Sequence, residues 1–263
     1  MTAPPALPDV PNLRDVGGHP TRDGGRVRTG QVYRSVDLGR ATDAQVAGLG
    51  VLGIRVVFDL RTGDERAMSP DRLPAGADLV TADVLADDAG SSPAAFGALP
   101  ADPAATRRAL GDGGSARFFV EKYRAFVSLP SARAAYRRVF SDLAGPHGRP
   151  ALIHCTSGKD RTGWAAAALL LLLGVPEDRV MADFLASNGQ LEPVFGPFVA
   201  AFRARGGDAS LLDPIVEARP EYLASALGEV SAVYGSIEGY FGDGLGIGPG
   251  GIADLRAALV ESD

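Results

Sequence analysis

Between Pro150 and Leu173 the sequence passes from a short apolar strand (PALIH), through a polar loop, into a helix with no polar face. The helix covers Thr162 to Leu173, carries no glycine except Gly163, and stops at Gly174. A helix that is apolar all round has to be enclosed. A short apolar strand leading into it belongs in the middle of a sheet covered on both faces. The run Trp164 to Leu173 has ten residues, half of the roughly 20 that a bilayer span needs, so protein and not lipid must enclose it. That demand points to a layered α/β fold, and 263 residues are enough to build one without a disulfide or metal staple.

The remaining elements fit around this segment. Residues 9–40 are rich in turn residues between strand-like pieces, the clearest being Gln31 to Arg34. Thr42 is placed to cap a helix running to about Leu52. Ile54 to Phe58 (IRVVF) is a β-branched run ending at Asp59, suited to a second central strand, and another is expected over Asp78 to Val84. Residues 86–115 are dominated by Ala, Gly, Pro, Ser and Asp without a firm period, as expected of a flexible loop or lid. Helical spacing returns over Phe118 to Val127 and Ser131 to Leu143. Further helices are expected over 176–188, 191–204, 211–218, 220–241 and 251–260. The expectation is an α/β fold: a central, mostly parallel sheet flanked by helices, a helix-rich C-terminal half, and one domain over 1–263.

Composition narrows the function classes. The net charge is 26 − 32 = −6, which argues against nucleic-acid partners and against stable anchoring to an anionic membrane. Cys155 is the only cysteine, so there is no internal disulfide and no zinc site built on paired cysteines. His19, His147 and His154 are too few and too scattered to suggest a metal centre, and no cofactor is expected. Residues 1–12 have no basic n-region and no apolar core, so a cytoplasmic location is expected; export without a leader is compatible with the sequence.

The loop His154-Cys155-Thr156-Ser157-Gly158-Lys159-Asp160-Arg161-Thr162 carries the chemistry. A strand-to-helix turn leaves backbone N–H groups without partners, gathered at a positive helix end. That makes an anion cradle before any side chain is counted. Gly158 lets the backbone curl where a Cβ would resist. Arg161, six positions after Cys155, brings a planar guanidinium able to grip two phosphate oxygens at once. Helix N-termini and cations also lower thiol pKa values into the range of roughly 3.5–7.5. The site that binds a phosphate dianion thus also prepares a nucleophile to attack it. The plainer reading of a lone cysteine, a small buried hydrophobe, does not account for the loop around it.

HCTSGKDRT resembles the HC-x5-R-[ST] signature of cysteine-dependent phosphatases, and its Gly-Lys-Asp resembles the bacterial tyrosine-phosphatase branch that includes atypical dual-specificity and lipid phosphatases. NLRDVGG at 12–18 with VYRS at 32–35, FDLRTGDER at 58–66, and residues 219–246 are similar to the same branch, so the likeness covers nearly all of the chain outside 86–115. The resemblance implies a cysteine-phosphatase-like fold and a metal-independent phosphomonoesterase acting on phosphotyrosine, with phosphoserine or phosphothreonine as further candidate substrates. Cys155 would attack phosphorus, Arg161 would hold the equatorial oxygens, and Thr162 would stabilise the departing thiolate. The residues Thr156, Ser157, Gly158, Lys159, Asp160 and Arg161 would line the phosphate, and His154 would orient the cysteine.

Two residues compete for the general acid. Asp160 stands inside the cradle beside the thiolate and the incoming dianion, where like charge favours a protonated carboxyl. Asp59 ends a central strand, where open α/β sheets place their sites, although it could equally cap a turn with Arg61. Lys159, in a chain whose other basic residues are all arginine apart from Lys122, suggests binding of extra substrate charge, as on a phosphoinositide. The expected partners are therefore phosphoprotein or phosphoinositide substrates. Sulfurtransferase or arsenate reductase chemistry and a non-catalytic phosphate-binding module are the competing classes; arsenate reduction ordinarily needs further cysteines.

Overall fold

The computed structural model describes residues 6–88, 106–108 and 113–262. Its centre is a five-stranded sheet in the order β1-β3-β6-β4-β5, made of β1 (Arg14–Asp15), β3 (Val32–Ser35), β6 (Ala151–His154), β4 (Val56–Asp59) and β5 (Asp78–Thr81). Strands β3, β6, β4 and β5 run parallel, and only β1 is antiparallel to its neighbour. The fold is the expected α/β arrangement with a mostly parallel sheet and a helix-rich C-terminal half.

Two-residue alternation sorts the sheet's side chains between two apolar layers. Tyr33, Leu152 and Val57 share one register row and pack on one face with Leu49 of α1 (Asp43–Val51). Val32, Ala151 and Val56, then Ile153 and Phe58, belong to the larger layer on the other face. That layer is built by α3 (Gly114–Ser128), α4 (Pro130–Ala144), α5 (Arg161–Leu172), α6 (Glu177–Leu185), α8 (Pro220–Tyr234) and α9 (Pro249–Leu259). Helix α5 is the expected enclosed one, with Trp164 and Leu170 wholly inaccessible. Short α2 (Gly63–Met68) follows β4, and α7 (Glu192–Ala204) lies between α6 and α8.

The local start signals hold. Thr42 accepts from the Gln45 amide and Gln45 returns a bond to the cap, as do Thr62 and Glu65 at α2. Several expected elements are shorter than the sequence suggests: β5 ends at Thr81, the helix over 176–188 ends at Leu185, and the one over 211–218 is α-helical only at Asp213–Val216. Three further departures change the architecture. The helix expected over 220–241 ends at Tyr234, because Gly235 takes φ +75 and Ser236 starts a new turn. The last helix ends at Leu259, and Val260–Ser262 form β7, paired with β2 (Gly25–Val27) in a second, two-stranded sheet. Gly114 and Ser115 belong to α3 and not to a loop, while most of the expected lid segment lies outside the described residues. Among the described residues no helix is long and apolar enough to cross a membrane.

Candidate active site

Strand β6 ends at His154 and α5 begins at Arg161, so the six residues between them turn at the C-terminal edge of the sheet. Ser35, His154 and Asp59 share a register row there. Cys155, the first residue of the turn, is 1% exposed. Gly158 takes φ +65, and a Cβ on it would stand 2.1 Å from the Ser35 carbonyl oxygen, so the curl allows no side chain.

Arg161 does not reach out freely. Its Nη1 and Nη2 donate to the two oxygens of Glu65 at 2.7 and 2.8 Å, with longer contacts of 3.4 Å to the Leu60 carbonyl and Thr156 Oγ1. The Tyr136 hydroxyl donates to its main-chain carbonyl at 3.1 Å. Burial pulls the guanidinium's pKa down, but the hydrogen bonds to Glu65 and the charges of Cys155, Glu65 and Asp160 raise it above its ordinary value. Thr156 also donates its hydroxyl to Glu65. Burial alone would raise the Glu65 carboxyl, yet Arg161, Thr156 and the Thr62 amide hold it down at about 2. Glu65 thus enters the site from α2, at the third helical position of a capping box.

His154 is fully buried below the loop. Its Nδ1 lies 3.2 Å from the Cys155 carbonyl oxygen, and its Nε2 stands 3.2 Å from Asp71 Oδ2 in an ion-pair contact poorly aligned for a hydrogen bond. Burial opposes a charged ring, but Asp71 and then Asp59 outweigh it and raise the imidazole pKa. The surroundings agree with that direction: Arg61 is the one guanidinium that the described contacts set against Asp59, Asp71 and, at 3.6 Å, Asp37, so the site favours a positive ring.

Asp59, the rival candidate acid, is wholly inaccessible. Its two oxygens accept from Arg61 Nε and Nη2 at 2.9 and 2.8 Å, so it holds Arg61 in place and presents no free face to a substrate. Arg61 Nη2 donates at 2.7 Å to Asp71 as well. Asp59, Asp71 and His154 bring ligand-type atoms within 4.8 Å of one another, but a guanidinium already occupies the cation's place between the carboxylates.

Asp160 ends the loop without capping α5. Its Oδ1 accepts from Lys159 Nζ at 2.7 Å and from the Tyr123 hydroxyl at 3.0 Å. Its neighbours are therefore not all anionic, contrary to the expectation from sequence. Lys159 is inaccessible and donates also to the Glu217 carbonyl at 3.1 Å, with the rings of Phe119 and Tyr222 at 4.9 and 5.8 Å. The Thr162 hydroxyl is buried with no hydrogen-bond partner among the described residues.

Every residue of the 154–162 stretch is therefore gathered at one turn, and Asp59 supports it from the neighbouring strand. Sequence reasoning named Arg61 as a turn partner of Asp59, which the structure shows, but missed Glu65, Tyr123 and Asp71. Of these only Glu65 carried a signal, the Thr62-x-x-Glu65 capping box, and that signal names a helix start and not a partner for Arg161.

The sequence pattern described as the tyrosine phosphatase family matches residues 5–261. The chain is 33% identical to the triple specificity protein phosphatase PtpB of Mycobacterium tuberculosis, over 97% of this chain and 98% of the relative. It is 32% identical to a protein of Cupriavidus necator over 95% of this chain and 86% of that one. A tyrosine-protein phosphatase of Nostoc commune is 31% identical, over 87% and 74% of the two chains.

Proposed function

The chain belongs to the tyrosine phosphatase family and is a protein-tyrosine phosphatase; from that premise we propose that it works through a cysteinyl-phosphate formed on Cys155. In the first step the Cys155 sulfur forms a bond to phosphorus as the ester P–O bond breaks, and Asp160 gives a proton to the leaving oxygen. Arg161 and the loop amides hold the three equatorial oxygens as charge shifts onto them. Water then attacks phosphorus, Asp160 takes its proton, the S–P bond breaks, and the Thr162 hydroxyl donates to the departing thiolate. The step uses no metal. The observation that carries this reading is the confinement of nucleophile, guanidinium and carboxylate to one turn, with the guanidinium fixed by Glu65.

Asp160 is the general acid in this reading and Asp59 a support for Arg61, because Asp59 has both oxygens engaged and no exposure. The substrates are phosphotyrosine proteins, with phosphoserine and phosphothreonine as further candidates; the name of one relative, a triple specificity protein phosphatase, supports a range wider than one residue type. A phosphoinositide would call on Lys159, whose ammonium is held by Asp160 and Glu217 under two rings; a second phosphate would have to displace them. The whole chain is read as one catalytic domain, since α3 and α8 supply the rings that cover Lys159.

The test is single-turnover hydrolysis of a phosphotyrosine peptide with acid quench. Cys155→Ser should form no protein-bound phosphate and turn over at background rate, and Asp160→Asn should lose 10²–10⁴-fold. Chelator should change neither rate nor burst. Retained turnover in Cys155→Ser, or thiosulfate turnover in its place, overturns the reading. Comparison of kcat/KM on phosphotyrosine, phosphothreonine and soluble phosphoinositide ranks the substrates.

A further inference from the structure

Four successive carbonyls of the 155–160 turn meet polar groups that lie outside that turn. The Cys155 oxygen lies 3.2 Å from His154 Nδ1, and the Thr156 oxygen accepts from the Asp37 main-chain N–H at 3.1 Å. The Ser157 oxygen accepts from Asn12 Nδ2 at 3.0 Å and the Gly158 oxygen from Arg34 Nη2 at 2.8 Å. In a planar trans peptide the C=O and the following N–H point in opposite directions. Drawing these carbonyls into the scaffold therefore turns the N–H groups of Thr156, Ser157, Gly158 and Lys159 to the other side, where an anion would sit.

Two of the donors are side chains of the N-terminal segment that the mechanism leaves unused. Asn12 stands at φ +57, a conformation asparagine tolerates better than most residues. Arg14 donates to its side-chain oxygen, which leaves the amide NH2 to face Ser157. Arg34, inaccessible on β3, forks between Gly158 and Asp183 Oδ2, the latter at 2.9 Å. Arg14 shares Asp183 through Nε at 2.9 Å and reaches the Asp183 carbonyl and Ser187 Oγ at 3.0 and 3.1 Å. Two arginines against one aspartate leave a positive charge behind the loop. Burial and the charge of Arg14 push Arg34 down to about 10, so it stays charged at neutral pH.

We propose that Asn12 and Arg34 are positioning residues that aim the loop's amides at the phosphoryl oxygens, with Arg14 and Asp183 holding both in place. The proposal rests on the reading that this loop binds the transferred phosphoryl group. The 12–18 and 32–35 stretches then act together as the rear wall of the anion site.

The experiment measures competitive inhibition by vanadate, kcat and KM on a phosphotyrosine peptide, and Tm, for the full chain and four variants. Asn12→Ala should raise the vanadate inhibition constant about 10-fold, the worth of one hydrogen bond, and Arg34→Met about 100-fold. In both, kcat should fall more than KM rises, because the amides act most on the transition state. Arg34→Lys should recover part of the Arg34→Met loss by restoring the charge without the fork. Leu255→Ala, a core truncation on α9, should lower Tm and leave vanadate inhibition as it was. Inhibition constants within twofold of the parent in Asn12→Ala and Arg34→Met overturn the proposal, and so does a Leu255→Ala change as large as theirs. If Arg34→Met does not fold, Asn12→Ala decides. A parent enzyme indifferent to vanadate overturns the reading of the loop itself, and this proposal with it.

Discussion

Glu65 and Arg161 meet through two hydrogen bonds of 2.7 and 2.8 Å, and the same carboxylate closes the capping box of the helix that carries it. One side chain therefore couples the start of α2 to the direction of the guanidinium. Breaking a buried pair by neutralising one member leaves the other charge uncompensated, at a cost of about 3–5 kcal/mol when the partner is removed outright. Glu65→Gln keeps the shape and one acceptor, so a loss of about 2–3 kcal/mol in urea unfolding is expected, with kcat/KM down 10–100-fold. Thr62→Ala removes the cap and the 3.0 Å hydroxyl bond to Glu65 Oε2 but leaves the Thr62 amide and both Arg161 bonds on the carboxylate, so it should cost about 1–2 kcal/mol, with less than a threefold change in kcat/KM. Equal kinetic losses in the two variants would show that Glu65 acts through the helix alone.

Gly158 is the position where space and backbone agree most sharply. Its φ of +65 strains any side chain, and an added Cβ meets the Ser35 carbonyl at 2.1 Å and Asn12 Nδ2 at 3.0 Å. Neither β3 nor the loop can retreat without turning carbonyls away from their donors. Gly158→Ala should lose at least ~100-fold in kcat/KM, as misplacement by an ångström does. Steady-state kinetics at a temperature well below the variant's Tm would check it, and a loss under tenfold would mean that the loop adapts.

What the sequence revealed and what it concealed divides along contact range. The 154–162 loop was legible because its nucleophile, guanidinium and glycine are neighbours in the chain, between a strand and a helix whose apolar patterns announce themselves. The capping boxes at Thr42 and Thr62 are local too. By contrast, the pairing of Val27 with Val260 and the meeting of Glu65 with Arg161 depend on how distant elements pack, and neither leaves a periodic trace. Asp160 shows the same limit: the sequence sets it beside the thiolate and the anion, but Tyr123 arrives from α3, thirty-seven residues away. Asp59 was placed at the correct sheet edge, and only its packing against Arg61 distinguishes a support from an acid.

Tyr123 and Lys159 both donate to Oδ1 of Asp160, which would leave the carboxyl's other oxygen for the proton transfer proposed for it. Tyr123→Phe removes one of these bonds with almost no change of volume. A lost bond to a charged group is worth about 1.5–3 kcal/mol when fully expressed; with Lys159 still in place, a 5–10-fold fall in kcat on a phosphotyrosine peptide is expected. KM should stay within twofold. On p-nitrophenyl phosphate, whose leaving group needs little protonation, kcat should barely move. Equal losses on the two substrates would show that the hydroxyl supports the fold and not the acid.

Stability should fall on both sides of a plateau in pH, for opposite reasons. Glu65 is held at about 2 against an ordinary 4.5, so its contribution is complete above 4.5 and is lost as pH drops toward 2. That shift corresponds to on the order of 3 kcal/mol. Asp71 is also depressed, by His154 and Arg61 against burial, and adds to the acid-side loss. His154 is raised above 6.5 on balance, so its contribution is complete below 6.5 and disappears as pH climbs through the folded-state value. Urea midpoints should therefore be highest between pH 4.5 and 6.5 and decline in both directions. Glu65→Gln should lower the plateau and flatten the acid limb, leaving the alkaline limb as it was. An acid limb of unchanged slope in Glu65→Gln would assign acid unfolding to other carboxylates and remove the Glu65–Arg161 pair as its source.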